Sequence, residues 1–403
     1  MPRLRGRWRY MVVVGLVAVA AATAASSSSG AGNPSLGASQ GVTAKTITFG
    51  FSSGLAGAFA LAGGQEQSGI LAAFAEANAS GGIQGRKLKL VSLNDNFDPT
   101  LEVTNYRSLA EQSKVYGIVG SVLIAPAGVY QLAAQEGTPT FPLFAYPDPK
   151  LANVFLLGST LTAQSVGTVP VLAHLFKGKS VKVGIISGAS SAAAVSAAKD
   201  LMGQFSNLNL VSTQANVPFT ATDMTPYVLA AKSAGAQAML MFTGSTQNYL
   251  FMQAADQQNF KPLYIGNGGT MAASGMLGLA SCSNNCYRVT EYSPTSAGYA
   301  NFSKWVAKTG VAPSDQGAEE FAITETMIQI LRLSGHDLSW KHFEFVAEHA
   351  MKNFSTGGLY HKLTFGPGVH LGSPYTITEK ISGGKWVSLG GFVREPKQYD
   401  SGP

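Results

Sequence analysis

The chain has 403 residues, with 28 Lys+Arg against 22 Asp+Glu and a formal charge of +6. That length accommodates two domains of ordinary size. Charged residues are only 12% and hydrophobic ones 45%, which excludes an intrinsically disordered chain. The 46 glycines follow no triplet period and there are two cysteines, so collagen-like and disulfide-scaffold classes are excluded too.

The positive charge is concentrated at the start. Arg3, Arg5, Arg7 and Arg9 precede an apolar run, Met11 to Ala25, that ends in small residues. A basic segment, a short apolar stretch and an A-x-A exit predict a secretory signal peptide over 1–25. Left uncleaved, the same segment would tether the protein to the membrane. Without those four arginines the balance is 24 basic to 22 acidic residues, or +2. No Lys/Arg cluster with interleaved aromatics remains, so nucleic acid is not an expected partner. Residues 26–44, rich in Ser, Gly and Ala, read as a flexible linker. No cysteine follows the apolar run to carry an acyl anchor.

The folded part opens with a β-branched and aromatic strand, Thr46 to Phe51. Ile70, Phe74 and Ala77 then recur at three- and four-residue spacing, predicting a helix over 65–79 that Gly81-Gly82 terminate. A strand over 87–93 follows, then a helix over 101–113, a buried strand over 115–119, a helix over 127–136 and a strand over 140–144. A second series holds helix 163–176, strand 181–186, helix 192–205, strand 209–214, helix 224–234, strand 238–242, helix 246–257 and strand 263–265. Helices over 297–308 and 317–333 follow. Alternating short strands and amphipathic helices predict an α/β fold with parallel sheets. Two sets of units, each about a hundred residues, predict two similar lobes.

Asn78–Leu90 (NASGGIQGRKLKL) resembles a stretch of the type I periplasmic solute-binding proteins, of the leucine/isoleucine/valine-binding branch that serves ATP-binding-cassette (ABC) transporters. Asn94–Pro99 (NDNFDP), Gly117–Gly120, Glu136–Pro142 (EGTPTFP), Phe219–Pro226 (FTATDMTP), Gly235–Ala238 and Ser382–Val387 (SGGKWV) fit the same family in the same order. The resemblance runs from Ile47 to Leu389. It implies a clamshell of two Rossmann-like lobes joined by three crossover segments. Lobe one is 45–161 and 293–365, and lobe two is 162–292 and 366–403. A small solute would bind between the lobes and pass to an ABC transporter permease, with the protein expected to be monomeric and periplasmic or extracellular.

Open α/β sheets bind ligands outside the carboxyl ends of their strands. The strand-to-helix loops therefore supply the expected ligand-binding residues. In lobe one these are Ser52, Ser53, Phe59, Leu61, Leu123, Ile124, Phe144, Ala145 and Tyr146. In lobe two they are Ser190, Ser191, Ser245, Thr246, Asn267 and Gly268. Gln316 resembles a further pocket position. The sequence departs from the amino-acid-binding pattern, because Ile124, Tyr146 and Gly268 stand where those proteins carry Ser, Thr and Glu. A buried ammonium lacking its carboxylate is strongly disfavoured. The expected ligand is accordingly neutral or monoanionic and partly apolar.

Neither G-x-x-x-x-G-K-[ST] nor H-E-x-x-H occurs in the sequence. His336, His342, His349, His361 and His370 with Glu344 and Glu348 lack standard zinc spacing and read as scattered surface residues, so no metal is expected. Gly266–Gly269 lacks the dinucleotide fingerprint, and no cofactor is expected. In an exported protein Cys282 and Cys286 read as a disulfide closing a small loop. A ligand sensor on the same fold and an exported α/β enzyme are the competing functions.

Overall fold

The computed structural model describes residues 40–57, 60–120, 126–143 and 151–395, so the predicted signal segment and most of the linker lie outside the described residues. The first strand, β1 (Thr46–Ser53), puts Ile47, Phe49 and Phe51 into one core. Gly50 faces the other way, where an added Cβ would stand 3.0 Å from Leu109. Alternation of this kind is the period-2 geometry of a strand covered on both faces. Helix α1 (Ala60–Ala79) buries Ile70, Phe74 and Ala77 against the β1 aromatics.

The end of α1 is built as its glycines require. Gly81 and Gly82 take φ of 97° and 77°, and the Gly82 N–H donates to the Ala77 carbonyl at 2.8 Å. Left-handed residues close a helix this way at little cost only when they are glycine. Asn78 then pins the turn to the next strand, β2 (Lys87–Asn94). Its Oδ1 accepts from the Leu88 N–H at 2.8 Å and its Nδ2 donates to the Leu88 carbonyl at 3.0 Å.

Helix α2 (Pro99–Arg107) is capped by Asp98, whose carboxylate accepts from the N–H groups of Thr100 and Leu101. Strand β3 (Gly117–Val119), helix α3 (Pro126–Glu136) and the short β4 (Thr140–Phe141) complete a parallel sheet ordered β2-β1-β3-β4.

The second sheet is larger. It holds β5 (Val181–Ser187), β6 (Leu208–Gln214), β7 (Ala238–Phe242), β8 (Leu263–Asn267) and β9 (Cys286–Thr290), all parallel. Helices α4 (Leu161–Leu175) and α5 (Ala192–Met202) cover one face, packing on Val183, Ile185 and Leu240. Helices α6 (Thr225–Ser233) and α7 (Ser245–Gln257) cover the other, packing on Ile186, Met239 and Met241. Cys282 and Cys286 are buried in this second core, with Cα atoms 4.7 Å apart.

Helices α8 (Ala297–Val306), α9 (Asp315–Leu333) and α10 (Trp340–Ala350) return to the first sheet and share its aromatic core. Contact between α1 and α9 is close because two glycines meet there. A Cβ on Gly69 would stand 2.1 Å from the Gly317 carbonyl oxygen. The chain then crosses back and adds β10 (Tyr375–Ser382) and β11 (Lys385–Ser388), both antiparallel, to the larger sheet, and β12 (Val393–Arg394) pairs with β10. The sheet is therefore mixed, where the strand–helix alternation predicted parallel pairing. β10 enters from the returning crossover antiparallel to β9, and Gly383 and Gly384, at φ 59° and 71°, turn the hairpin that makes β11 antiparallel to β10.

Three segments link the two sheet systems, and they run side by side. The Leu156 N–H donates to the His370 carbonyl and the Gly372 N–H to the Leu156 carbonyl, each at 2.8 Å. Tyr292 bridges Tyr360. Among the described residues no helix is long and apolar enough to cross a membrane.

Candidate functional site

The carboxyl ends of the strands carry most of the expected ligand residues that the structure describes. Phe59, Leu123, Ile124, Phe144, Ala145 and Tyr146 lie outside the described residues. At the end of β1, Ser52 and Ser53 are buried and already engaged. Ser52 Oγ donates to Asp95 Oδ2 at 2.9 Å, and Ser53 Oγ donates to Glu66 Oε2 at 2.5 Å. Ser52 Oγ also accepts from Asn105 Nδ2 at 3.1 Å, so both hydroxyls are held by side chains behind the loop. Leu61, in the first turn of α1, is 74% exposed.

In the second sheet system, Ser190 is exposed, whereas Ser191 Oγ donates to the Phe242 carbonyl at 2.7 Å. That bond draws the loop after β5 onto the end of β7, next to Ser245 and the exposed Thr246. Asn267 is buried with both ends of its amide in use. Its Nδ2 donates to Ser165 Oγ at 2.9 Å and its Oδ1 accepts from the Thr270 N–H at 2.8 Å. Gly268 is buried, and a Cβ there would stand 2.5 Å from Thr290 Oγ1. Any side chain at this position would crowd Thr290. Gln316 is half-buried at the start of α9.

Sequence reading passed over the acids behind these loops, because a lone Glu in a helix looks like a solvent-facing residue. Glu66 is buried on α1, and burial pushes its carboxyl up to about 8 despite the Ser53 bond. Glu320 is buried on α9, and a Cβ on Gly120, just past β3, would stand 2.3 Å from its Oε2. Neither Glu320 oxygen has a hydrogen-bond partner among the described residues, and burial raises the group well above the carboxylate range. Both carboxyls are accordingly protonated at neutral pH.

A third buried acid, Glu291, gathers the crossover segments. It accepts from Gln164 Nε2 at 2.9 Å and from the Tyr360 hydroxyl at 3.0 Å, and a Cβ on Gly158 would stand 2.2 Å from its Oε2. Residues from all three links therefore converge on one carboxyl, which burial raises to about 8. The histidines need correction as well. His370 is fully buried, stacked on Phe155 with centroids 4.6 Å apart, and its Nε2 lies 3.0 Å from Glu348 Oε1. It serves packing at the crossover and is not a surface residue.

Two α/β sheet systems, joined by three adjacent segments and carrying their loops at the strand ends, define a two-lobed binding protein. The model of the periplasmic binding protein family matches residues 46–385, and the chain belongs to that family. It is similar to the Leu/Ile/Val-binding protein homolog 7 of Brucella abortus (strain 2308), at 30% identity over 226 residues, which are 53% of this chain and 56% of that protein. The chain thus spans about half the length of the curated relatives it matches. A Thermus thermophilus branched-chain amino acid ABC transporter protein with bound valine shares the fold, with a TM-score of 0.79 at 15% identity over 88% of this chain and 98% of that one. So does an R. palustris solute-binding protein in complex with 4-hydroxybenzoate, with a TM-score of 0.73 at 17% identity over 87% and 98%.

Proposed function

We propose that this protein is an extracytoplasmic solute-binding protein that captures a small ligand between two lobes and delivers it to an ABC importer. The family match over most of the chain is the observation that carries this reading. Lobe one comprises 45–161 and 293–365, and lobe two comprises 162–292 and 366–403. Residues 1–25 export the chain, the protein acts as a monomer, and Cys282 and Cys286 form a disulfide in the oxidising compartment.

The ligand in this reading is neutral or monoanionic and partly apolar. Gly268 supports it, since glycine offers an ammonium no carboxylate and a Cβ there would crowd Thr290 Oγ1. The protonated states of Glu66 and Glu320 support it too, because neither presents a negative charge at neutral pH. Relatives of this fold take both kinds of solute, valine in one and 4-hydroxybenzoate in another. Thermal-shift screening against leucine, valine, benzoate, 4-hydroxybenzoate and octanoate tests the assignment. An acid without an ammonium should raise the Tm. Stabilisation by leucine or valine alone would refute the ligand class.

A further inference from the structure

Phe219 lies between β6 and α6, and 58% of it is exposed. It stands at the carboxyl ends of the strands, where open α/β sheets take their ligands. The Val217 N–H donates to the carbonyl of Ser187, the last residue of β5, at 3.0 Å. The Phe219 carbonyl accepts from Gln247 Nε2, in the first turn of α7, at 2.5 Å. The segment is therefore fastened to the end of β5 and to the first turn of α7.

The ring rests on glycine. A Cβ on Gly244 would stand 2.9 Å from its Cε1 and 3.0 Å from its Cδ1, and one on Gly188 would stand 4.0 Å from its Cζ. Those glycines introduce the loops that carry Ser190, Ser191, Ser245 and Thr246. A side chain at position 244 would push the ring away. One side of Phe219 thus covers the loop backbones at Gly188 and Gly244, and the rest stands open to solvent.

We infer that Phe219 is the specificity-determining wall of the second-lobe half of the site, taking the aromatic ring or alkyl chain of the ligand against its open side. This rests on the solute-binding reading above. A ring fixed by backbone bonds loses little freedom on binding, and aromatic faces favour offset contact with another ring or with methylene groups. The other candidate occupant is the exposed Leu61 of the first lobe, which would meet Phe219 only as a closing contact, whatever the ligand.

Titration calorimetry of wild type, Phe219→Ala, Phe219→Tyr and Leu61→Ala with benzoate, octanoate and leucine separates these cases. The acids should bind Phe219→Ala about tenfold more weakly and Phe219→Tyr nearly as wild type, with unliganded Tm values unchanged. Equal acid affinities for wild type and Phe219→Ala overturn the inference while leaving the solute-binding reading intact. So does a uniform loss for every ligand that Leu61→Ala reproduces, or a loss that Tyr does not restore. Wild type that binds none of the three overturns the ligand class and this inference together, before any variant is compared.

Discussion

Arg288 on β9 sets its Nη1 2.6 Å from Oδ2 of Asp315, the first residue of α9. Its Nε is 2.7 Å from Glu379 Oε2 on β10. Arg288 and Glu379 belong to the larger sheet, and α9 packs on the smaller one, so a fully buried guanidinium joins the two halves. Trp386 lies 4.5 Å beneath it, at cation–π distance. Burial disfavours the charge, but Tyr292, Asp315 and Glu379 outweigh that and hold the group protonated.

Removing the cation would strand the acid. Arg288→Met leaves Glu379 buried without its partner and should destabilise by about 3–5 kcal/mol. Asp315→Asn keeps a hydrogen-bonding group at the same place and should cost about 1–2 kcal/mol. Urea unfolding measures both. Variants within 0.5 kcal/mol of wild type, roughly the scatter of neutral surface changes, would show that the tether contributes nothing.

Stability should fall as the solution becomes alkaline. Burial raises Glu66, Glu291 and Glu325 from an ordinary 4.5 to about 8, and Glu319 and Glu320 further. Between those values the folded chain keeps protons that the unfolded chain has released. The stabilisation is complete below 4.5 and is lost as pH rises through about 8, at up to about 1.4 kcal/mol per unit for each group. Glu348 works the other way at low pH: its Gly368 and His370 bonds outweigh burial and hold it below the ordinary range. Urea midpoints from pH 5 to 8.5 should decline, and Glu291→Gln should shallow that decline by about one proton. A flat wild-type profile would contradict protonated carboxyls at the crossover.

Gly268→Glu should not by itself create an ammonium site. Its Cβ meets Thr290 Oγ1, so the substitution should cost about 1–3 kcal/mol. Thr290→Ala in the same chain should recover most of that loss by clearing the hydroxyl. Thermal unfolding of the single and double variants decides the point, and identical Tm values for the two would locate the strain elsewhere.

Cys282 and Cys286 lie four residues apart, buried in an apolar core. Neither thiol should react with iodoacetamide in the folded, unreduced protein, and both should react after reduction and unfolding. Replacing the pair by serine should cost about 2 kcal/mol. Two alkylatable thiols in the native protein would dismiss the disulfide.

What the sequence determined by itself was local. The strand–helix alternation, the helix stop at Gly81-Gly82 and the loops at the strand ends are written in spacing and in residues with one conformational use. The Asn78–Gly85 turn is legible because its signals lie within ten residues of one another. Tertiary structure decided which polar groups meet. Gln164 and Glu291 are 127 residues apart, and Arg288 and Glu379 are 91 apart. A glutamate's type says exposed, and only its neighbours reveal Glu66, Glu291 and Glu320 as buried acids that keep their protons. His370 was misread for the same reason, since nothing nearby in sequence announces Phe155 above it. Phe219 carried a family motif in the sequence, and its place over Gly188 and Gly244 exists only once β5 and β7 are paired. Local conformation follows from short-range sterics, whereas burial and charge state follow from contacts that the folded chain alone assembles.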